Sequence, residues 1–135
     1  MTPRHTFRLA RADSFLPAEP AQQRLRITND TDPRQTDLRG IAAVELVFPK
    51  FTDGRAFSQA FLLRRRLGFA GEIRATGDVL VDQLLQMWRS GFSQAVLRED
   101  QDIALGQRLL ATFDGFYQGD AIHPAPRFLA VAIGT

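Results

Sequence analysis

The sequence predicts a single α/β domain built on a mostly parallel, open sheet. From Gly40 onward, short apolar runs rich in strand-forming residues alternate three times with segments whose apolar residues fall at helical spacing. The connections between them are short, and this alternation is typical of parallel strands joined by right-handed crossovers. The 135 residues suffice for one domain with one core. They fall well short of the roughly 250 that a closed α/β barrel needs, so we predict an open sheet.

The sequence of residues 1–40 indicates an irregular segment, and we predict that it wraps the domain. Two prolines lie close together in SFLPAEPAQQ, and TNDTDPRQTD consists of residues that favour turns. Between these stretches, RLRIT alternates and predicts one short strand. The α/β core is therefore expected at residues 41–135, where it includes a C-terminal tail.

The sequence of residues 41–135 predicts three strands and three helices. The first strand is mostly apolar, the pattern of a strand that is buried on both faces. Gly68 and Gly91 follow the first two helices at the position that a helix C-cap prefers. The predicted strands are IAAVELVF (41–48), GEIRATG (71–77) and SQAVLR (93–98), and the predicted helices are 55–67, 79–89 and 102–113.

The C-terminal tail contains the longest apolar run of the chain, FLAVAI at 128–133. This run suits an edge strand of the same sheet or of a partner's sheet. We expect it to be buried, and a homodimer is one way to bury it.

Composition excludes several classes of protein. The chain has no cysteine, which removes disulfides, thiolate metal sites and cysteine-ligated iron–sulfur clusters. The two histidines, His5 and His123, have no partners at metal-ligand spacing, so we predict no metal. The formal net charge is +2, and the basic cluster Arg64–Arg65–Arg66 is too short for a nucleic-acid surface. We interpret this cluster as a solvated helix face.

Neither a secretory signal nor a membrane span is indicated. The N-terminus lacks the apolar core of a signal peptide, and no run approaches the roughly 18 apolar residues of a membrane helix. We expect a cytoplasmic protein with neither a membrane nor a nucleic-acid partner.

Polar residues follow each of the three predicted core strands. PKFTDGR comes after the first strand, TGD after the second and REDQD after the third. Ligands of open parallel sheets bind beyond the carboxyl ends of the strands, so these side chains should share one edge. We predict an anion or ligand site there, formed by Lys50, Thr52, Asp53, Gly54, Arg55, Asp78 and Arg98.

Two residues of this edge favour an anion. Arg55 stands at the start of a helix, where the macrodipole disfavours cations. Lys50 is the only lysine of the chain. Gly54 allows a tight turn whose free N–H groups would add to the site. Neither a P-loop nor a dinucleotide-binding fingerprint is present.

The alternative interpretation of the edge is structural. Arg55 would pair with Asp53 or Asp78 for stability alone. Asp78 and Asp100 would be ordinary helix caps, a role for which aspartate is a preferred residue.

The stretch FPKFTDGRAFSQAFLLRRRLGFAGEIRATGDVLVDQL resembles the core motif of a bacterial family called domain of unknown function 934. Members of that family read close to FPKFxDGRxxSxAxxLRxRxGFxGExRAxGDVLxDQL, and the resemblance extends over residues 41–118. It implies a cytoplasmic protein whose gene lies beside those for assimilatory sulfite reduction, and relatives are labelled oxidoreductases of that pathway. Many relatives have RCGF where this chain has RSGF at 89–92, so this chain cannot use that cysteine.

From these observations we predict an accessory protein of sulfite or sulfate assimilation. It would bind an anion, or a partner such as sulfite reductase, through the strand-end edge. An oxidoreductase needs a cofactor, for which this sequence has no fingerprint, so enzymatic activity and cofactor stay open. Two alternatives remain, a small oxidoreductase that uses exogenous flavin or nicotinamide, and a docking scaffold without a small-molecule site.

Overall fold

The computed structural model of the chain describes residues 7–113 and contains one five-stranded, all-parallel sheet. The strands follow the order β1-β5-β4-β3-β2 across this sheet. The predicted α/β class with a parallel sheet is confirmed. The strands are β1 (Arg8–Arg11), β2 (Arg24–Ile27), β3 (Ala43–Phe48), β4 (Glu72–Gly77) and β5 (Gln94–Leu97).

The centre of the sheet is the pair β3 and β4, and these strands run parallel, as predicted. Val44 lies opposite Ile73, and Leu46 lies opposite Ala75. All four side chains are fully buried, because this face of both strands packs against the helices. This register fixes the ends of the two strands at the same edge of the sheet, with Phe48 opposite Gly77.

Three helices cover that apolar face. They are α1 (Arg55–Phe61), α2 (Leu84–Ser90) and α3 (Ile103–Phe113). The predicted helix at 55–67 is present, but its last part is a π turn, Leu62–Arg66. The predicted helix at 79–89 begins later, after the 3-10 turn Val81–Gln83. The third helix begins at Ile103.

The opposite face of the sheet includes the side chains of Glu45, Arg74 and Gln94 and is crossed by residues 12–23, which we call the strap. The strap joins β1 to β2, and these two strands lie at opposite ends of the sheet. Its Glu19 carboxylate accepts hydrogen bonds from both terminal nitrogens of Arg74 on β4, at 2.9 and 3.0 Å. The side chain of Arg74 is only 3% exposed and that of Glu19 10%. This buried pair fixes the strap to the sheet.

Two strands of the sheet thus come from the first forty residues. RLRI forms β2, which agrees with the short strand expected there. RLAR forms β1, a strand that the sequence pattern did not indicate. β1 pairs with β5, which lies more than eighty residues later in the chain, with Arg8 opposite Gln94. No local sequence pattern indicates such a pairing.

The expectation of a solvated face for the arginine cluster is wrong for Arg64. Its Nε donates to the carbonyl of Gly91 at 2.9 Å, and its Nη1 donates to those of Phe69 and Gly71 at 2.9 and 2.6 Å. Burial lowers the pKa of this guanidinium to about 10. Arg64 therefore joins the loop before β4 to the loop before β5, whereas Arg65 and Arg66 are exposed.

Within residues 7–113, no helix combines the length and the apolar character needed to cross a membrane. The run FLAVAI and both histidines lie outside the described residues.

Candidate functional site

All seven predicted site residues lie at the carboxyl edge of the sheet. Four of them belong to the connection from β3 to α1 and Arg55 is the first residue of α1, while Asp78 follows β4 and Arg98 follows β5. Hydrogen bonds form two groups at this edge, one centred on Asp53 and one on Asp78. We call residues 50–52 the edge turn.

The first group is centred on Asp53. Its carboxylate accepts hydrogen bonds from Arg55 Nε and Nη2 at 3.1 and 2.7 Å, and a further one from the Asn29 amide. The hydrogen bonds from the Arg55 side chain are the main reason that the pKa of Asp53 falls to about 2. Asp53 also accepts a bond from the backbone N–H of Arg55, so one of the N–H groups expected to be free is already engaged.

The second group is centred on Asp78. One of its oxygens accepts the backbone N–H of Phe51 at 2.7 Å, and the other accepts a hydrogen bond from Arg98 Nη1. Arg98 is held in turn by Asp100, at 2.7 and 2.8 Å. The hydrogen bond from Arg98 is the largest cause that lowers the pKa of Asp78, and both carboxylates raise the pKa of Arg98.

The expectation that Asp78 and Asp100 cap helices is therefore wrong. Asp78 binds the edge turn, and Asp100 binds Arg98. The residue that caps α3 is Asp102, whose carboxylate accepts the backbone N–H groups of Ala104 and Leu105 at 3.0 and 3.3 Å.

Phe51 is the residue on which the second group converges. Its N–H is bound by Asp78, and its carbonyl accepts a hydrogen bond from Gln83 Nε2 at 2.6 Å. Both backbone groups of Phe51 are thus fixed by side chains from the connection after β4. The residue is nevertheless 47% exposed. The edge turn consequently presents an aromatic side chain to solvent from a fixed backbone.

The two cations of this segment, Lys50 and Arg55, differ in whether they form an ion pair. Lys50 is exposed and makes no ion pair with any residue of the described range 7–113. Arg55 has its ion pair with Asp53 but keeps 61% of its side chain exposed. The edge turn therefore combines an exposed aromatic ring with positive charge that is available to a partner.

Sequence reasoning did not select Phe51, Gln83 or Asn29. The available signal for Phe51 was a large apolar residue between Lys50 and Thr52, in a stretch otherwise suited to a turn. The bond from Gln83 joins residues 32 positions apart, and the bond from Asn29 joins residues 24 apart. Such long-range contacts have no local sequence pattern.

Among the residues that the structure describes, no group of three or more histidine or acidic side chains is placed to hold a metal ion. The seven predicted residues include no such group either, and their role in binding stays a prediction.

The fold and the edge define a class of protein, a small α/β domain with a fixed, exposed turn at the carboxyl edge of a parallel sheet. The chain belongs to the family described as bacterial protein of unknown function (DUF934), whose model matches residues 24–128. The match contains β2 to β5, all three helices and the edge turn. No curated protein and no solved structure matches the chain.

Replacing Asp78 with alanine is expected to loosen the edge turn without unfolding the domain. The N–H of Phe51 loses its acceptor, so its hydrogen exchange should become at least about tenfold faster. The amide of Ile73 in the centre of the sheet should keep its protection. Exchange measured residue by residue by NMR would test this.

The control is Asp82→Ala, a neighbouring exposed carboxylate in the same connection after β4. Equal protection of Phe51 in the parent and in Asp78→Ala would show that Asp78 does not hold the turn.

Proposed function

We propose that this protein is an accessory protein of assimilatory sulfite or sulfate reduction that docks onto an enzyme of that pathway through its edge turn. The pathway is the one that the family resemblance implies. The observation that carries the docking mode is Phe51, an exposed aromatic ring on a backbone fixed by Asp78 and Gln83.

The fixed backbone favours binding because little conformational entropy remains to be lost. Association costs about 0.5–1.5 kcal/mol for each flexible side chain that it immobilises, and ordering a loop adds a further cost. Aromatic residues and arginine are also the residue types that carry most of the energy of protein interfaces. Phe51 and Arg55 provide both types within five residues of each other.

The charge of the edge turn indicates the kind of surface that it fits. Lys50 has no ion pair within the described chain, and Arg55, at the start of α1, is largely exposed. A partner surface with an apolar depression bordered by carboxylates would complement this arrangement. Complementary charge of this kind mainly raises the association rate, and it is weakened by salt.

The residues behind the turn have a supporting role in this proposal. Asp78 and Arg98, which the sequence suggested as ligand-binding residues, act on the partner through the backbone of Phe51. Asp53 keeps Arg55 in place on the other side of the turn. The site is then a docking surface of three exposed residues on a supporting hydrogen-bond network.

Replacing Phe51 with alanine is expected to weaken binding to the partner enzyme at least tenfold, or about 1.4 kcal/mol. The measurement is biolayer interferometry with purified assimilatory sulfite reductase and with the other enzymes of the pathway from the same bacterium. Lys50→Gln should slow association at low salt and have less effect at high salt.

The matched control is Leu105→Ala, since Leu105 on α3 is 46% exposed, nearly the same as Phe51. This control should bind like the parent. The proposal fails if no enzyme of the pathway binds the parent protein, or if Phe51→Ala binds as tightly as the parent.

A small anion is the second candidate for the same edge, because Lys50 lacks an ion pair with any residue of the range 7–113 and Arg55 is exposed. Calorimetric titration with sulfite and with sulfate separates it from docking. Saturable binding that both Lys50→Gln and Arg55→Gln abolish would support an anion site. Binding that Phe51→Ala reduces, with no heat from either anion, would support docking alone.

A further inference from the structure

The outer edge of β1 has no strand beside it within the described range 7–113. β1 is the terminal strand of the sheet, and its inner neighbour is β5. On that inner side, the N–H of Arg8 donates to the carbonyl of Ser93 at 3.0 Å. Alternate residues of a parallel strand direct their backbone groups to opposite neighbours, so those of Leu9 and Arg11 point to the open side.

The position of α3 indicates what belongs at this edge. From β2 to β5 the chain adds its strands in one direction across the sheet. α3 leaves β5 in the same direction and packs on β1. A helix that connects two parallel strands packs on the sheet between them. α3 is therefore placed to connect β5 with a strand beyond β1.

Close packing fixes α3 in this position. A Cβ atom at Gly106 would come within 3.0 Å of the side chains of both Leu9 and Leu84. The absence of a side chain at Gly106 therefore lets α3 lie directly on β1.

Beside this contact, a groove opens between β1 and α3. It has a cavity volume of about 410 Å³ and is lined by Phe7, Arg8, Leu9, Gln107 and Leu110. Phe7, Leu9 and Leu110 give this groove apolar walls. An open strand edge next to such a groove is the arrangement that accepts an added strand, with backbone bonds at the edge and side chains in the groove.

The chain itself contains a segment of suitable character. Residues 128–133, FLAVAI, are six consecutive apolar residues with strand-forming types among them. The family model continues to residue 128, so the link after α3 belongs to the same family unit. The 14 residues from 114 to 127 could span up to about 50 Å when extended, and the next strand position is only about 5 Å from β1.

We propose that residues 128–133 add to the open edge of β1 as a sixth parallel strand. Leu129, Val131 and Ile133 share one face of such a strand and are bulkier than Ala130 and Ala132 between them. They fill the groove under α3. The tether from α3 raises the effective concentration of this segment at its own β1, so the occupant is the same chain rather than a second copy.

The test is hydrogen exchange of the full-length protein, measured by NMR for the amides of Leu9 and Arg11. Both amides are expected to be protected in the parent. Val131→Asp places a charge in the groove and should reduce their protection at least about tenfold, while amides at the centre of the sheet, such as that of Ile73, should keep theirs. Ala130→Asp places the same charge on the opposite face, and we expect it to retain most of the protection.

Light scattering identifies which chain supplies the segment. A monomeric parent with protected edge amides supports docking within one chain. A parent dimer that Val131→Asp converts to monomer would overturn this assignment in favour of a second copy. Unprotected amides in the parent, or equal protection in Val131→Asp, would overturn the sixth strand itself.

Discussion

Replacing Glu19 with glutamine is expected to lower the free energy of unfolding by about 3 kcal/mol, near the lower end of the cost of breaking a buried ion pair. The variant removes the carboxylate that is hydrogen-bonded to the Arg74 guanidinium, at a position where the Arg74 side chain is 3% exposed. Gln94 and the ring of Phe15, 4.9 Å away, remain its neighbours but carry no negative charge. Urea unfolding of both proteins at pH 7 would measure this difference.

The pH dependence of stability gives an independent readout for Glu19. The hydrogen bonds from Arg74 lower the pKa of this carboxyl below its ordinary value of 4.5. A lowered folded-state pKa means that the stabilisation is complete above about pH 4.5 and is lost as the pH falls through the folded-state pKa. The difference between the parent and Glu19→Gln should therefore shrink in acid.

Asp37→Asn is the matched control for this prediction. Asp37 also has a lowered pKa, caused by Arg39, but both side chains of that pair are largely exposed. We expect its stability to stay close to that of the parent. If Glu19→Gln were as stable as Asp37→Asn, the strap would not be fixed by the buried pair.

Replacing Gly77 with alanine is the second change with a large expected effect, a loss of about 3 kcal/mol of stability. Gly77 ends β4 with a φ of +94°. A Cβ atom there would overlap the carbonyl oxygen of Phe48 on the neighbouring strand, and a backbone atom cannot rotate away. Thermal unfolding should show a decrease in Tm on the order of 10 °C.

Gly40→Ala separates the two causes of this loss. Gly40 also has a positive φ, +73°, but a Cβ atom would meet nothing within 4 Å. The stability of this control should fall by only about 1–2 kcal/mol, the cost of placing alanine in the left-handed backbone conformation. Equal losses in the two variants would mean that the contact with Phe48 contributes nothing.

Gly77 also matters for the candidate site. The N–H of the next residue, Asp78, donates to the same Phe48 carbonyl at 2.8 Å. The close approach of the two strand ends thus brings the Asp78 carboxylate within reach of the edge turn. We expect Gly77→Ala to disturb the edge turn as well as the sheet.

The centre of the fold could be predicted because its signals are local. The run that forms β3 is apolar, and helix α2 ends at Gly91, which has a φ of +113°. Because the carboxyl ends of parallel strands share one edge of the sheet, the sequence also predicted that Asp78 and Arg98 lie at the same edge as Lys50, and the structure has them there.

The remaining features depend on contacts that are distant in sequence. The two arginines in the four residues of β1 hide its strand character, and its partner β5 begins at Gln94. The sequence of the π turn has the same pattern as that of an ordinary helix. The hydrogen bonds from Arg64 to three carbonyl groups likewise leave no local signal in the sequence. The role of Asp78 was missed because its partner is a backbone N–H 27 residues away.

The strand order has a consequence for the chain while it is being synthesised. β1 leaves the ribosome first, yet its only strand neighbour in the described range is β5, which ends at Leu97. A nascent chain can pair β2 with β3 and β3 with β4 as each strand emerges, but β1 must wait for more than eighty further residues. At about 5–20 residues per second, this interval lasts for several seconds. During that time the strap has no complete sheet to cross, so β1 is the last of the five described strands to find its neighbour.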